Sequence, residues 1–132
     1  GGTIIRWNGA SWSTVTSPTT SWLFSVFMVG ASDGWAVGTG GTIIRWNGTS
    51  WSTVTSPTTS WLYSVFMVGP NDGWAVGGSG AIVRWTGAEW VPEFPSAVLG
   101  PLLITITLVT VILTKTASKK AKKTTLLSKT QP

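Results

Sequence analysis

The strongest constraint on this chain is that it repeats itself. Gly1–Thr39 and Gly40–Gly78 agree at 34 of 39 positions, differing at Ala10/Thr49, Phe24/Tyr63, Ala31/Pro70, Ser32/Asn71 and Thr39/Gly78. A third copy opens at Ser79 with SGAIVRWTGAEWV and stops after Val91. A unit of this kind hides its apolar surface against the next unit, so the repeat predicts an array of stacked modules. Four of the five differences fall in stretches rich in Gly, Asn and Ser, where turns tolerate change.

Within each unit the pattern predicts four short strands. SVFMVG (Ser25–Gly30, Ser64–Gly69) is a continuous apolar run of the kind covered on both faces. Asp-Gly at Asp33-Gly34 and Asp72-Gly73 predicts a turn, with the Asp as an Asx-type turn former, and GWAVG comes next as the second strand. TIIRW is the third, with Thr3, Ile5 and Trp7 on one face and Ile4 and Arg6 on the other. Asn8-Gly9 and Asn47-Gly48 predict a tight hairpin with both residues at positive φ, leading to SWSTVTS as the fourth strand. SPTTSW then crosses to the next unit, kept out of any ladder by Pro18 and Pro57.

Four meandering strands per unit make the expected class all-β and the unit a β-propeller blade. The competing architecture, a β-solenoid, has shorter rungs without four-strand meanders. Residues 1–91 hold two complete units, starting near Leu23 and Leu62, preceded by the last two strands of another. Since a closed propeller needs about four to eight blades, the expectation is an incomplete propeller. It reads as the C-terminal part of a longer array, with closure by oligomerisation as the alternative.

Charge divides the chain. Residues 1–91 balance Arg6, Arg45 and Arg84 against Asp33, Asp72 and Glu89. The net charge of +5 comes from residues 92–132, where six lysines oppose Glu93. Phe94–Thr114 is a run of 21 residues without a charge, long enough as a helix to span roughly 30 Å of hydrocarbon. Its centre, LLITITLVTVIL, carries Thr hydroxyls able to bond back to the preceding turn. A buried core helix or strand is the plainer alternative. The lysines favour a membrane span over 97–114, because Lys excess marks the cytoplasmic side. Lys115, Lys119, Lys120, Lys122 and Lys123 then fix topology: 115–132 is a basic cytoplasmic tail and the repeats face outward. That anchoring explains the lysines without nucleic acid as a partner.

The pattern DGWAVG-x-x-G-x-I-x-R-W-x-G-x-x-W resembles propeller repeats of bacterial and archaeal surface proteins, related to Asp-box and photosystem-assembly-factor-like propellers. The resemblance covers residues 1–91 and implies a fold rather than an activity. After it come Val91-Pro92-Glu93-Phe94-Pro95-Ser96, the apolar run and the lysines. That order resembles the archaeal PEF-type C-terminal sorting signal. The resemblance implies that Pro92, Glu93 and Phe94 are recognised by an archaeosortase-like processing enzyme, which removes the helix and leaves the protein attached to membrane lipid. The two prolines disfavour helix and keep 92–96 extended. A plain stalk before a permanent anchor remains the alternative, and the tail of 18 residues is longer than such signals carry.

Composition excludes most enzymes. The chain has no Cys and no His, so there is no disulfide, no Cys or His zinc ligand and no imidazole base. Its four carboxylates offer little for paired-carboxylate chemistry, and the Asp residues lack the oxygen cluster that calcium needs. A sialidase-like cluster of the repeated arginines lacks its nucleophile and acid. Most of the ten tryptophans recur at the repeat period and are expected to pack between blades. Trp22 and Trp61, in the polar crossing segments, are the expected exposed pair and the candidate ligand contacts, beside the loops Ser17–Ser21 and Ser56–Ser60. Asn47-Gly48-Thr49 is a sequon on a predicted hairpin, making Asn47 a candidate N-glycosylation site. No metal or cofactor is implied. The function expected is a cell-surface binding or structural display module meeting surface glycans or envelope proteins. The rival is an extracellular propeller polysaccharide hydrolase whose catalytic residues lie in further N-terminal blades.

Overall fold

A computed structural model describes residues 1–93, 109 and 111–123. Residues 1–93 form ten strands in three antiparallel sheets. A two-stranded sheet pairs β1 (Ile4–Trp7) with β2 (Trp12–Val15). The first four-stranded blade runs β3 (Leu23–Gly30), β4 (Asp33–Gly38), β5 (Ile43–Trp46) and β6 (Trp51–Val54) in spatial order. The second repeats it with β7 (Leu62–Gly69), β8 (Asp72–Gly77), β9 (Ile82–Trp85) and β10 (Trp90–Pro92). Each blade is therefore a meander, and β1 and β2 are the third and fourth strands of a preceding one. This is a partial β-propeller, as the repeat predicted.

Two turns differ from expectation. The first hairpin of each blade turns at Ala31-Ser32 or Pro70-Asn71, while Asp33 and Asp72 already lie in β4 and β8, opposite Gly30 and Gly69. These aspartates are strand residues with another task, not turn formers. The second hairpin uses a four-residue loop, because Trp7 pairs with Trp12 and Trp46 with Trp51. Only its glycines, Gly9 and Gly48, take positive φ. The Asn8 carboxamide oxygen accepts from the Ala10 and Ser11 amides at 2.9 Å, and Asn47 does the same for Thr49 and Ser50. In the third copy the Thr86 hydroxyl accepts from the Glu89 amide at 3.3 Å.

Close approach fixes glycine where one blade's second strand ends. A Cβ at Gly38 or Gly77 would strike the carbonyl oxygen of Trp22 or Trp61. That contact ties each crossing segment to its own blade, with the Thr39 and Gly78 amides donating to the same two carbonyls at 2.9 and 2.8 Å.

The core lies between the blades. Trp35, Val37 and Ile43 of the first blade meet Leu62, Val65, Met67, Ala75, Val83, Trp85 and Trp90 of the second. Trp35 sits 4.7 Å from Trp85 and 5.3 Å from Trp90, ring centre to ring centre. Phe27 meets Phe66 edge-on at 5.1 Å. Burial therefore follows position in the stack. Val37 is fully buried while its repeat partner Val76 is 43% exposed, and Ile43 is 1% exposed against 46% for Ile82.

Described by itself, the C-terminal part is helical over residues 111–123, which include Lys115, Lys119, Lys120, Lys122 and Lys123. The Thr114 and Thr116 hydroxyls donate to the Val111 and Ile112 carbonyls, both at 2.9 Å; the threonines of LLITITLVTVIL, for which such bonds are expected, lie outside the described residues. Most of the expected span over 97–114 lies outside the described residues. Among the described residues no helix is long and apolar enough to cross a membrane. Strand β10 continues through Pro92, and the Glu93 amide donates to the Ile82 carbonyl at 2.8 Å. The compact unit runs Gly1–Glu93. Phe94 lies outside the described residues.

Equivalent truncations test the stacking. Ile43→Ala should cost about 2–5 kcal/mol, whereas Ile82→Ala should cost less than about 1 kcal/mol. Urea unfolding of the two variants reads the difference; equal losses would mean the blades do not stack as described.

Candidate functional site

One exposed aromatic cluster arises from a backbone irregularity repeated in each blade. Leu23 pairs with Gly38 and Ser25 with Val37, so Phe24 is an extra residue in β3; Tyr63 is extra in β7 in the same way. A bulge of this kind re-aims the side chain at the extra position. Phe24 then lies 5.7 Å from Tyr63 and 6.0 Å from Trp61, at interplanar angles of 44° and 41°. All three rings are exposed, and Trp22, the equivalent of Trp61 in the preceding repeat, is more exposed still. The candidate contact residues Trp22 and Trp61 thus stand at the surface, and Trp61 belongs to a cluster with Phe24 and Tyr63. Sequence reading missed the latter two. Their signal was present as the apolar residue just before each SVFMVG run.

The crossing segments that carry Trp22 and Trp61 are held by short side-chain bonds. The Ser17 hydroxyl donates to the Thr19 carbonyl at 3.0 Å, and the Ser21 amide donates to the Thr19 hydroxyl at 3.0 Å. Ser56, Thr58 and Ser60 repeat the arrangement. A polar segment without a ladder thereby presents an indole in a defined place.

The arginines do structural work at blade faces. Arg45 Nε donates to Asp33 Oδ1 at 3.0 Å, and Arg84 Nε to Asp72 Oδ1 at 3.0 Å. Arg45's guanidinium lies 4.8 Å from the Trp35 ring and 5.5 Å from Trp85 of the next blade. Arg6 lies 5.6 Å from Trp46, again one blade on. Arg6 and Arg45 thus reach indoles of the next blade, whereas Arg84 lies 5.1 Å from Trp74 of its own. The twelve-residue spacing from Asp33 to Arg45, repeated from Asp72 to Arg84, was the sequence signal for this pair. Among the described residues no group of three Asp, Glu, His or Cys side chains could hold a metal ion.

Asn47 is exposed on its hairpin loop, with its carboxamide oxygen engaged by the Thr49 and Ser50 amides. The chemistry available on these blades is contact chemistry: flat apolar rings framed by hydroxyls and amides, suited to stacking on a sugar face or a peptide side chain.

No known protein family matches the sequence, and no curated protein matches it. Solved structures do. YCF48 from Cyanidioschyzon merolae is similar with a TM-score of 0.55 and 26% identity, over 65% of this chain and 28% of that one. YCF48 bound to D1 peptide is similar with a TM-score of 0.53 and 26% identity, over 59% of this chain and 28% of that one. This chain thus spans little more than a quarter of the length of the proteins it matches. The likeness supports blades of the propeller kind.

The ion pair gives a test of its place in the stack. Asp33, the less exposed carboxylate, should lose about 1–2 kcal/mol of stability as Asp33→Asn, and Asp72→Asn less than about 1 kcal/mol. Thermal unfolding of both variants distinguishes them; the reverse order would contradict the assignment of Arg45 to a covered interface.

Proposed function

We propose that this chain is a cell-surface binding module: a stack of propeller blades turned outward and held by its C-terminal segment, with no catalysis of its own. The observation that carries the binding part is the exposed Phe24, Trp61 and Tyr63 cluster, built by a bulge that recurs in both blades. Its likeness to a propeller captured with a peptide supports the same reading. The ring faces suit surface glycans or envelope proteins, with Trp22 extending the contact.

The anchoring part rests on sequence order. The uncharged run 94–114 supplies a membrane span, and Lys115, Lys119, Lys120, Lys122 and Lys123 hold its end on the cytoplasmic side. Pro92, Glu93 and Phe94 form the signal for an archaeosortase-like enzyme, which trades the helix for a lipid attachment. Asn47 carries a glycan on the outward hairpin.

Cells expressing the protein supply the test. External protease should cleave the repeats, and replacing the five lysines by Gln should reduce or invert that exposure. Unchanged accessibility would remove the topology. Replacing Pro92-Glu93-Phe94 by three alanines should leave the uncut form to accumulate; normal maturation would remove the sorting signal. Trp61→Ala should weaken retention of envelope polysaccharide or protein by roughly tenfold, the loss of one stacked ring. Undiminished retention would take the ligand site away from this cluster.

A further inference from the structure

Two of the five positions at which the repeats differ meet at the aromatic cluster. Phe24 becomes Tyr63 and Thr39 becomes Gly78, and a Cβ added at Gly78 would stand 3.5 Å from Tyr63 Oη and 3.8 Å from its Cε2. The exchange also moves a hydroxyl. In the first repeat the Thr39 hydroxyl accepts from the Trp22 amide at 3.2 Å. In the second, glycine removes that acceptor, and the Trp61 amide has no hydrogen-bond partner among the described residues. The hydroxyl of Tyr63, which is half exposed, has none among them either.

Folding does not ask for this glycine. Gly78 does not take positive φ, unlike Gly80 at +73°, and the contacts its Cβ would make are ordinary van der Waals ones. Gly77 beside it is different, since a Cβ there would strike the Trp61 carbonyl. What Gly78 does is leave the Trp61 amide and the Tyr63 hydroxyl without a side-chain partner, next to the rings of Phe24, Trp61 and Tyr63. The stretches that build the cluster, 22–26, 56–64 and 78–81, contain no Asp, Glu, Lys or Arg. A ligand gains nothing there from charge. It has to offer an apolar face to the rings and oxygens at its rim to the amide and the phenol. A pyranose has that form, with C–H groups on a face and hydroxyls around the edge. An apolar peptide side chain covers the rings but brings no such rim.

We propose that the cluster is a subsite for a neutral pyranose and that Tyr63 and Gly78 determine its specificity. Phe24 and Trp61 stack on the sugar. One sugar hydroxyl accepts from the Trp61 amide, as the Thr39 hydroxyl accepts from the Trp22 amide in the first repeat, and Tyr63 Oη bonds a second. The first repeat, with Phe24 and Thr39, offers neither group, so the two copies are not interchangeable at this surface. This assignment rests on the reading that the cluster binds a ligand, and it does not depend on how the chain is anchored.

Calorimetric titration of the full chain, in micelles of a detergent without sugar, supplies the test. The probes are neutral hexasaccharides of glucose, mannose, galactose and N-acetylglucosamine, with hexaproline as the peptide rival. At least one sugar should bind saturably. Tyr63→Phe and Gly78→Thr should each weaken it roughly five- to tenfold, the loss of one hydrogen bond, and Trp61→Ala should abolish it. Both of the first two substitutions install the residue that the first blade carries at the same position, so neither endangers the fold. Thermal unfolding of Gly78→Thr should show an unchanged or raised midpoint; a lowered one would mean that the glycine serves folding and would overturn its assignment. Failure of all four sugars to bind, or sugar binding indifferent to both Tyr63→Phe and Gly78→Thr, would also overturn the proposal. So would saturable binding of hexaproline in their place, which would give the rings to a peptide. The broader binding reading fails separately: it falls if Trp61→Ala leaves retention of envelope polysaccharide and protein intact, and it survives if that retention is lost while the four sugars do not bind.

Discussion

No blade here can hide both of its faces alone, and the rest of the structure depends on that. A four-stranded antiparallel sheet of this composition is apolar on two sides, whereas an ordinary antiparallel sheet leaves one side to water. The remedy is a neighbour. Trp35 of one blade closes against Trp85 and Trp90 of the next, and Arg45 spans the seam between its own Trp35 and the neighbouring Trp85. The same sequence is core at one place in the stack and surface at another, as Val37 and Val76 show. Stability in such an array resides in interfaces as much as in units.

Function is then confined to what stacking leaves over. The seam between the two blades takes up Arg45 with Trp35, Trp85 and Trp90, and Arg6 reaches Trp46 one blade on. The bulges at Phe24 and Tyr63 release two rings from the ladder, and the crossing segments place Trp61 beside them. A surface of rings, hydroxyls and amides is suited to recognition by contact.

Much of this was legible in the repeat. The strand count and the phase of the blades from Leu23 and Leu62 both come from pattern and spacing. The Asp-Gly pair misled because the dipeptide is a turn signal in isolation, while here Asp33 is drawn into the strand by its pairing with Gly30 and its bond to Arg45. Asn8-Gly9 misled less: the hairpin is there, but a four-residue loop with a carboxamide bond leaves positive φ to glycine alone. Phe24 and Tyr63 stayed hidden because a bulge breaks the alternation from which facing is read. Pro92 fell inside β10 because the outer edge of a sheet tolerates proline.

The central claim is that position in the stack, not local sequence, sets the environment of each strand. Asp33–Gly38 and Asp72–Gly77 are chemically identical, DGWAVG in both, so their intrinsic exchange rates match. Hydrogen exchange resolved on these two strands should show the first protected well beyond the second, because it is covered on both faces. Equal protection would contradict the account, since it would make each blade a self-sufficient unit.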